Sequence, residues 1–151
     1  MTTSNPWTFR IPQPLALVCA WAFTLHLLVG GIDYAAGDHA EMSARWTVVE
    51  AALPIWVWGM FYILTALLSA YGLLAKKPRA FMLAAACATA IYAAMAVGLF
   101  IWTIQTPPPL DGIRTVTRML AGGVTWACFG YGTKLQLEID RRAAMLTNPT
   151  G

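Results

Sequence analysis

The chain has 151 residues, of which 58% are hydrophobic and 11% are charged, with a formal net charge of +3. Soluble domains average ~45–50% apolar and ~25% charged residues, so this composition excludes a disordered chain and disfavours a water-soluble globule. The ten Lys and Arg residues are too few and too scattered to indicate a nucleic-acid partner, and the length indicates a single domain over residues 1–151.

Four stretches without a formal charge organise the chain, at residues 11–32, 51–75, 80–110 and 119–133. A helix that crosses a bilayer needs ~20 mostly apolar residues, which the first three stretches provide. The fourth stretch is long enough if it extends past Arg118 or Lys134, because long basic side chains can snorkel to the membrane interface. The sequence therefore predicts an all-α integral membrane bundle of four antiparallel transmembrane helices, near residues 14–35, 46–75, 79–105 and 112–138.

The first helix is predicted to be an uncleaved anchor rather than a signal peptide. Only Arg10 supplies positive charge before it, and its apolar run exceeds the ~7–15 residues of a signal-peptide h-region. Cleavage near the small residue Gly31 is the alternative.

His26 lies in the middle of the first predicted helix. An ionisable side chain inside a membrane is a functional candidate, which here could bind haem, relay a proton or gate a pore. The only other histidine, His39, falls in the outer loop, so neither two-histidine haem ligation nor a metal site is indicated. The alternative is a neutral, hydrogen-bonded histidine in the core of the bundle.

Pro54 is predicted to kink the second helix, because its ring nitrogen cannot donate to the carbonyl of Glu50. Glu50, Arg118 and Asp33 are all predicted to lie within ~10 Å of the outer membrane interface, at a rise of ~1.5 Å per residue. One hypothesis is an ion pair between Glu50 and Arg118, with Asp33 nearby, that fixes the bundle. The alternative is that each charged side chain reaches water by itself.

The turn between the second and third helices is strongly basic, with Lys76, Lys77 and Arg79 in close succession. Arg10 before the first helix and the basic residues after the fourth helix fall on the same side of the membrane. The positive-inside rule therefore places this turn and both termini in the cytoplasm.

Small residues recur along the third and fourth helices in patterns typical of close helix packing. They lie at steps of four on the third helix and cluster on the fourth: Ala86, Ala90, Ala94 and Gly98, then Gly122, Gly123, Ala127 and Gly130. We expect these faces to pack the third and fourth helices against each other. Self-association of the chain through one of the faces is the alternative.

Residue patterns for catalysis are missing from the sequence. It contains no Gly-rich phosphate loop, no Ser/His/Asp set and no pair of carboxylates at catalytic spacing, so an enzyme is not indicated and no cofactor or metal is expected. Cys19, Cys87 and Cys128 lie in three different predicted helices without a CxxC motif, which predicts free thiols.

The segment from Thr106 to Thr115, TPPPLDGIRT, is the most distinctive stretch of the chain. Its prolines end the third helix, and Asp111 stands where the cap of the fourth helix belongs. Together with the four-span plan, it resembles the small four-helix membrane proteins found beside lysins in bacteriophages of actinobacteria, which are described as holins or holin-like. The DoxX-like four-helix group of bacterial membrane proteins shares the same plan. The resemblance to holins implies host-cell lysis and a location in the bacterial inner membrane.

Three functions remain open from the sequence. The first is a holin-like pore or lesion former that acts by helix self-association in the lipid bilayer and needs no catalytic chemistry. The second is a passive membrane subunit or anchor that assembles with a larger membrane protein. The third is a small transporter or redox protein that uses His26.

Overall fold

The computed structural model describes residues 13–36, 46–106 and 112–147. These residues form five helices and no strand: α1 Gln13–Ala36, α2 Thr47–Ala52, α3 Ile55–Leu74, α4 Pro78–Gln105 and α5 Ile113–Thr147. The prediction of an all-helical chain is therefore confirmed.

Three helices are long and apolar enough to cross a membrane: Pro14–Ala36, Ile55–Leu74 and Pro78–Gln105. Their outward surfaces carry large apolar side chains such as Leu64 and Val97, each more than half exposed, which a bilayer would cover. These features indicate a helical membrane protein, as predicted. By length and composition α5 does not qualify as a fourth span, because Arg118 and Lys134 bound its short apolar centre.

The predicted second helix is two helices in the structure, separated at Leu53 and Pro54. Both residues have extended backbone, with ψ angles of 140° and 142°. Pro54 has no N–H to continue the hydrogen-bond ladder, and its ring restricts Leu53 to an extended conformation. The helix therefore ends at Ala52 and restarts at Ile55, which is a larger break than the predicted kink.

α5 continues past the predicted span near residues 112–138 and ends at Thr147. Side chains in residues 134–145 are almost all exposed, so this part of the helix extends past the contacts with its neighbours. Lys134 Nζ lies 4.0 Å from Glu138 Oε1 one turn later. Such pairs stabilise an exposed helix by a few tenths of a kcal/mol.

The helices pack in the order α1, α3, α4, α5, and α2 packs against α4. In each contact the residue numbers rise along one helix and fall along its neighbour. Between α1 and α3, Ala35 contacts Gly59 and Thr24 contacts Ser69; between α3 and α4, Tyr62 contacts Met95 and Gly72 contacts Phe81. Between α4 and α5, Ala85 contacts Gly130 and Tyr92 contacts Gly122. Each of the four long helices therefore runs opposite to the one it packs against.

Two glycines of α3 bring backbones into direct contact. A Cβ atom on Gly59 would lie 2.6 Å from the backbone nitrogen of Ala35, and one on Gly72 would lie 2.6 Å from that of Phe81. Gly59 thus sets the crossing of α1 over α3, and Gly72 sets the approach of α3 to α4 beside their turn.

An aromatic cluster lies at the centre of the packing. Trp126 of α5 is fully buried, and its ring centroid lies 5.9 to 6.3 Å from those of Phe23, Phe81 and Phe129. Because Phe23 belongs to α1 and Trp126 to α5, this cluster also links the first helix to the last.

A row of tyrosines crosses the helices away from this cluster. The rings of Tyr34, Tyr62 and Tyr92 contact one another in sequence, edge to face, with 5.6 Å between successive ring centroids. The Tyr62 hydroxyl donates to the sulfur of Met95 at 3.4 Å. A Cβ on Gly122 would lie 2.8 Å from the Tyr92 ring, so the row ends against the backbone of α5.

Hydroxyl groups inside the packing satisfy one another or a backbone carbonyl. Thr24 donates to the carbonyl of Ala20 at 2.8 Å and lies 2.7 Å from the Ser69 hydroxyl, which is therefore the donor in that pair. The Thr89 hydroxyl on α4 donates to the carbonyl oxygen of Gly123 on α5 at 3.4 Å. Hydrogen bonds between helices help to fix their register where no water is available.

Candidate functional site

The four polar residues singled out in the sequence do not converge on one site. His26 and Asp33 lie on α1, Glu50 lies on α2 and Arg118 lies on α5, and each is exposed. A catalytic constellation needs its groups to face one another. These four residues therefore form no such cluster in the described part of the chain.

The hypothesised ion pair between Glu50 and Arg118 is not formed among the described residues. Val49 and Val116 are the buried residues of the same helical turns, each 3% exposed. Glu50 follows Val49 by one position, and Arg118 follows Val116 by two. At ~100° per residue, both charged side chains therefore point away from the interior. Both charged side chains are exposed and separate, and whether each reaches water by itself stays a prediction.

His26 lies near the centre of the span Pro14–Ala36 and on its exposed side, with Leu25 and Val29. The imidazole is therefore not a core side chain within one copy of the protein. The described residues contain no group of three or more His, Cys, Asp or Glu that could hold a metal, and His39 lies outside those residues. Because an imidazole facing hydrocarbon lacks hydrogen-bond partners, a covering helix would stabilise it there.

The small residues of α4 do not face α5 as expected. Ala86, Ala90 and Ala94, named the alanine stripe below, are exposed. α5 packs instead against Ala85, one position from Ala86, and against Tyr92, two positions from Ala90 and Ala94. A tyrosine ring brings many more atoms into van der Waals contact than an alanine does. Packing of the large side chain therefore decides the rotation of α4 and leaves the stripe open.

The other small residues are divided among different surfaces. Three glycines of α5 lie against α4: Gly122, Gly123 and Gly130. Gly98 faces α2 instead, where its Cβ would lie 2.8 Å from Val49 Cγ2, and Ala127 is exposed. The predicted contact between α4 and α5 therefore uses the glycines of α5 without the alanine stripe of α4.

A groove of about 420 Å³, the α3–α4 groove, lies beside the alanine stripe. Trp58, Phe61 and Leu68 of α3 line it on one side, and Cys87 and Ala90 of α4 line it on the other. The indole nitrogen of Trp58 is buried without a hydrogen-bond partner. Ala90 belongs to both features, so the stripe and the groove form one continuous surface.

A second pocket of about 330 Å³, the turn pocket, opens beside the turn between α3 and α4. All four long helices contribute to its apolar wall, which includes Ala20, Phe81 and Phe129. Lys76 and Thr133 also line it and bring polar side chains to it. This pocket exists only once the four helices have packed.

The basic turn has a left-handed backbone at Lys76, whose φ is 52°. The amide of Lys77 donates to the carbonyl of Gly72 at 2.9 Å, which closes the end of α3 in the manner of a Schellman motif. Glycine is the usual residue at this position, because a Cβ atom is strained there. Lys76, Lys77 and Arg79 are all exposed.

The three cysteines are free thiols, as predicted. Cys19 and Cys87 are half-buried, and Cys128 is exposed. They lie on α1, α4 and α5, and the structure pairs none of them with another.

Sequence reasoning missed the Thr24–Ser69 hydrogen bond and the turn pocket. The hydroxyl residues inside predicted spans were a usable signal for the first feature, since a hydroxyl in hydrocarbon needs a partner. The second feature has no local signal, because its wall comes from four helices that are distant in the chain.

The chain matches no protein-family model, no curated protein and no solved structure with significant similarity. The case for function therefore depends on the described geometry.

Proposed function

We propose that this chain is a multi-pass protein of the bacterial inner membrane that acts by associating with copies of itself, as a holin-like lesion former does. The observation that carries the proposal is the alanine stripe, which is exposed within the span Pro78–Gln105. Lipid removes most of the hydrophobic drive between helices, so they associate where small residues let two backbones approach closely. A stripe that stays open in one copy is available to a second copy.

The surface around the stripe has ridges and a depression that suit such a contact. Leu83 and Val97 are exposed ridges on the same face of α4, beyond the two ends of the stripe, and the α3–α4 groove lies next to Ala90. A two-fold contact could place the ridge of each copy in the groove of the other, since such interfaces are self-complementary.

α1 presents a second surface that favours a covering partner. His26 and Asp33 are seven residues apart and both exposed, so they share one face of the helix. A copy bound there would shield the imidazole from hydrocarbon and offer it a hydrogen-bond partner. Two separate association surfaces would let an assembly grow beyond a dimer.

The interior of one copy is filled by side chains. Leu27, Met95 and Trp126 are each fully buried at the centre of the packing. A lesion would therefore have to open between copies rather than through one of them. Self-association and membrane permeation are thus two steps of the same proposed function.

The proposal includes a fourth span and a cytoplasmic location for both termini. α5 lies alongside the spanning helix α4 from the contact of Gly122 with Tyr92 to the contact of Phe129 with Phe81. A helix in lateral contact with a spanning helix shares its depth in the bilayer. The basic residues on either side of this segment would then reach the two interfaces by snorkelling.

Fusions of a cytoplasm-fluorescent protein and a periplasm-active phosphatase are expected to report four spans. Fusions after Lys77 and after Gly151 should fluoresce, whereas fusions after Gln105 should show phosphatase activity, because each span reverses the side of the membrane. A chain with only three spans would instead show phosphatase activity at Gly151, which would contradict the fourth span.

Replacing Ala90 with leucine is expected to weaken self-association about tenfold, which corresponds to ~1.4 kcal/mol. The larger side chain prevents the close backbone approach that the stripe permits, while the exposed position leaves the fold of one copy unchanged. The measurement is energy transfer between labelled copies in vesicles as the ratio of protein to lipid rises. In expressing bacteria, a potential-sensitive dye should show later depolarisation for the variant than for the unaltered chain.

Ala121→Leu is the matched control, since Ala121 is an exposed alanine of α5 that lies off the stripe. This variant should associate like the unaltered chain. If Ala90→Leu associates as strongly as the unaltered chain, the stripe is not the interface. If the unaltered chain stays monomeric at every ratio of protein to lipid, self-association is excluded. Association without depolarisation would exclude a lesion former.

A membrane subunit or anchor is the second candidate function, and the exposed end of α5 favours it. Leu135 and Ile139 lie four residues apart and are 45% and 51% exposed, so they form an apolar stripe on a helix that carries charges elsewhere. An amphipathic helix of this kind can lie in the groove of a larger protein. Copurification of a partner with a monomeric chain, lost on Ile139→Lys, would favour this function over the first.

A further inference from the structure

The turn pocket lies at a membrane surface whichever way the chain is oriented. It opens beside residues 75–77, which join the two spans Ile55–Leu74 and Pro78–Gln105. A turn between two helices that cross a bilayer lies at the level of the lipid headgroups. Phe81 is one turn into α4, so the apolar wall of the pocket leads from that level toward the hydrocarbon.

One basic residue lines the pocket, and three more adjoin lining residues in the sequence. Lys76 lines it, Lys77 and Arg79 follow in the same segment, and Lys134 follows a lining residue on α5. All four basic side chains are exposed. Within the described residues this group makes one ion pair, between Lys134 and Glu138 at 4.0 Å. Positive charge is therefore in excess at the mouth of an apolar pocket.

The backbone of Lys76 is a second, independent reason to assign a role to its side chain. With φ at 52°, this position would be less strained as glycine, because a Cβ atom crowds the following carbonyl there. The left-handed conformation itself gains nothing from a lysine, and the positive-inside rule favours basic residues in the turn without requiring one at this position. A role for the ammonium group at the pocket accounts for a lysine in this conformation.

We infer that the turn pocket binds one anionic phospholipid, with an acyl chain along the apolar wall and the phosphate against Lys76. The volume of about 330 Å³ is within the range of small-ligand pockets, ~300–1,000 Å³, and far too small for a helix of another protein. Basic pockets between membrane helices attract anionic headgroups, and the ammonium supplies both charge and hydrogen bonds. This inference is independent of self-association and of which side the turn occupies.

The charge at the mouth selects among the membrane lipids that could enter. A zwitterionic lipid offers its phosphate together with a cation that the basic residues repel. A free phosphate ion lacks the acyl chain that would contact Ala20 and Phe81 on the wall. An anionic phospholipid satisfies both parts of the pocket and reaches it by lateral diffusion in the bilayer.

The test compares spin-labelled phosphatidylglycerol with spin-labelled phosphatidylcholine in phosphatidylcholine vesicles that contain the full-length chain. The unaltered chain should immobilise the anionic label preferentially. Lys76→Gly should reduce that preference about fivefold, which is the effect of ~1 kcal/mol for one lysine at a membrane surface. Lys76→Arg should retain it, and Ala16→Phe, which fills the wall of the pocket, should reduce immobilisation of the anionic label.

Arg118→Gln is the matched control, because it removes one exposed positive charge from α5 far from the turn. Its preference for the anionic lipid should equal that of the unaltered chain. Lys76→Gly should also melt no lower than the unaltered chain, since glycine suits the left-handed position. An unchanged preference in Lys76→Gly, an equal loss in Arg118→Gln, or displacement of the label by millimolar inorganic phosphate would each overturn the inference.

Discussion

Replacing Gly59 with alanine is expected to destabilise the packing of α1 on α3 by ~1–3 kcal/mol, the usual effect of overfilling a close-packed interior. The new Cβ would lie 2.6 Å from the backbone nitrogen of Ala35 and 2.8 Å from the carbonyl oxygen of Gly31. Backbone atoms cannot move aside as the end of a flexible side chain can, so the two helices would have to separate. Unfolding of the detergent-solubilised chain by titration with a denaturing detergent, followed by circular dichroism, measures the change.

Gly132→Ala is the control for this experiment, because no atom beyond the backbone of its own helical turn lies within 4 Å of the position its Cβ would take. Gly132 is also a helical glycine, so alanine there should stabilise α5 by up to ~1 kcal/mol through helix propensity. The two substitutions add the same methyl group and are expected to change the free energy of unfolding in opposite directions. Equal behaviour of the two variants would contradict the close backbone contact at Gly59.

Replacing Trp126 with alanine is expected to lower the free energy of unfolding by about 3 kcal/mol, the lower end of the range for large aromatic side chains in cores. Trp126 is fully buried and contacts Phe23, Phe81 and Phe129. In a membrane, the indole would stay in lipid after the helices separate. The free energy of moving it out of water therefore does not contribute to the effect. The cavity and the lost contacts remain, and they come from three helices at once.

Two further variants test whether the loss of stability comes from the packing of Trp126 or from the removal of any tryptophan. Trp56 is 54% exposed on α3, so Trp56→Ala leaves no cavity and should change stability by less than ~0.5 kcal/mol. Trp126→Phe keeps an aromatic ring and removes an indole N–H that is buried without a hydrogen-bond partner, so its effect should be well below that of alanine. The same detergent titration measures all three, and a neutral Trp126→Ala would contradict its place at the centre of the packing.

The packing of the interior also explains why every polar candidate from the sequence lies outside. Aromatic rings and short aliphatic side chains fill the space between helices, and the hydroxyls that remain there are bonded locally, as at Thr24 and Ser69. His26 and Glu50 therefore face outward, where the membrane or another copy can meet them. The proposed functions therefore use exposed surfaces of the protein rather than a buried polar site.

Local signals in the chain were enough to indicate a helical membrane protein. A run of some twenty residues without charge indicates a membrane helix, because hydrocarbon tolerates neither unbonded backbone groups nor unpaired charges. Pro54 marked the break in the second helix for an equally local reason, since a proline removes the hydrogen bond of its own amide. The basic turn at Lys76 was visible in the same way.

Which face of each helix is buried depended on tertiary packing. A membrane helix is apolar all round, so hydropathy does not distinguish the side facing lipid from the side facing another helix. The fit of Tyr92 against Gly122 rotates α4 so that Ala90 is left exposed, which the spacing of small residues could not reveal. The turn pocket has the same origin, because the side chains that form it come from helices distant in the chain and meet only after those rotations are set.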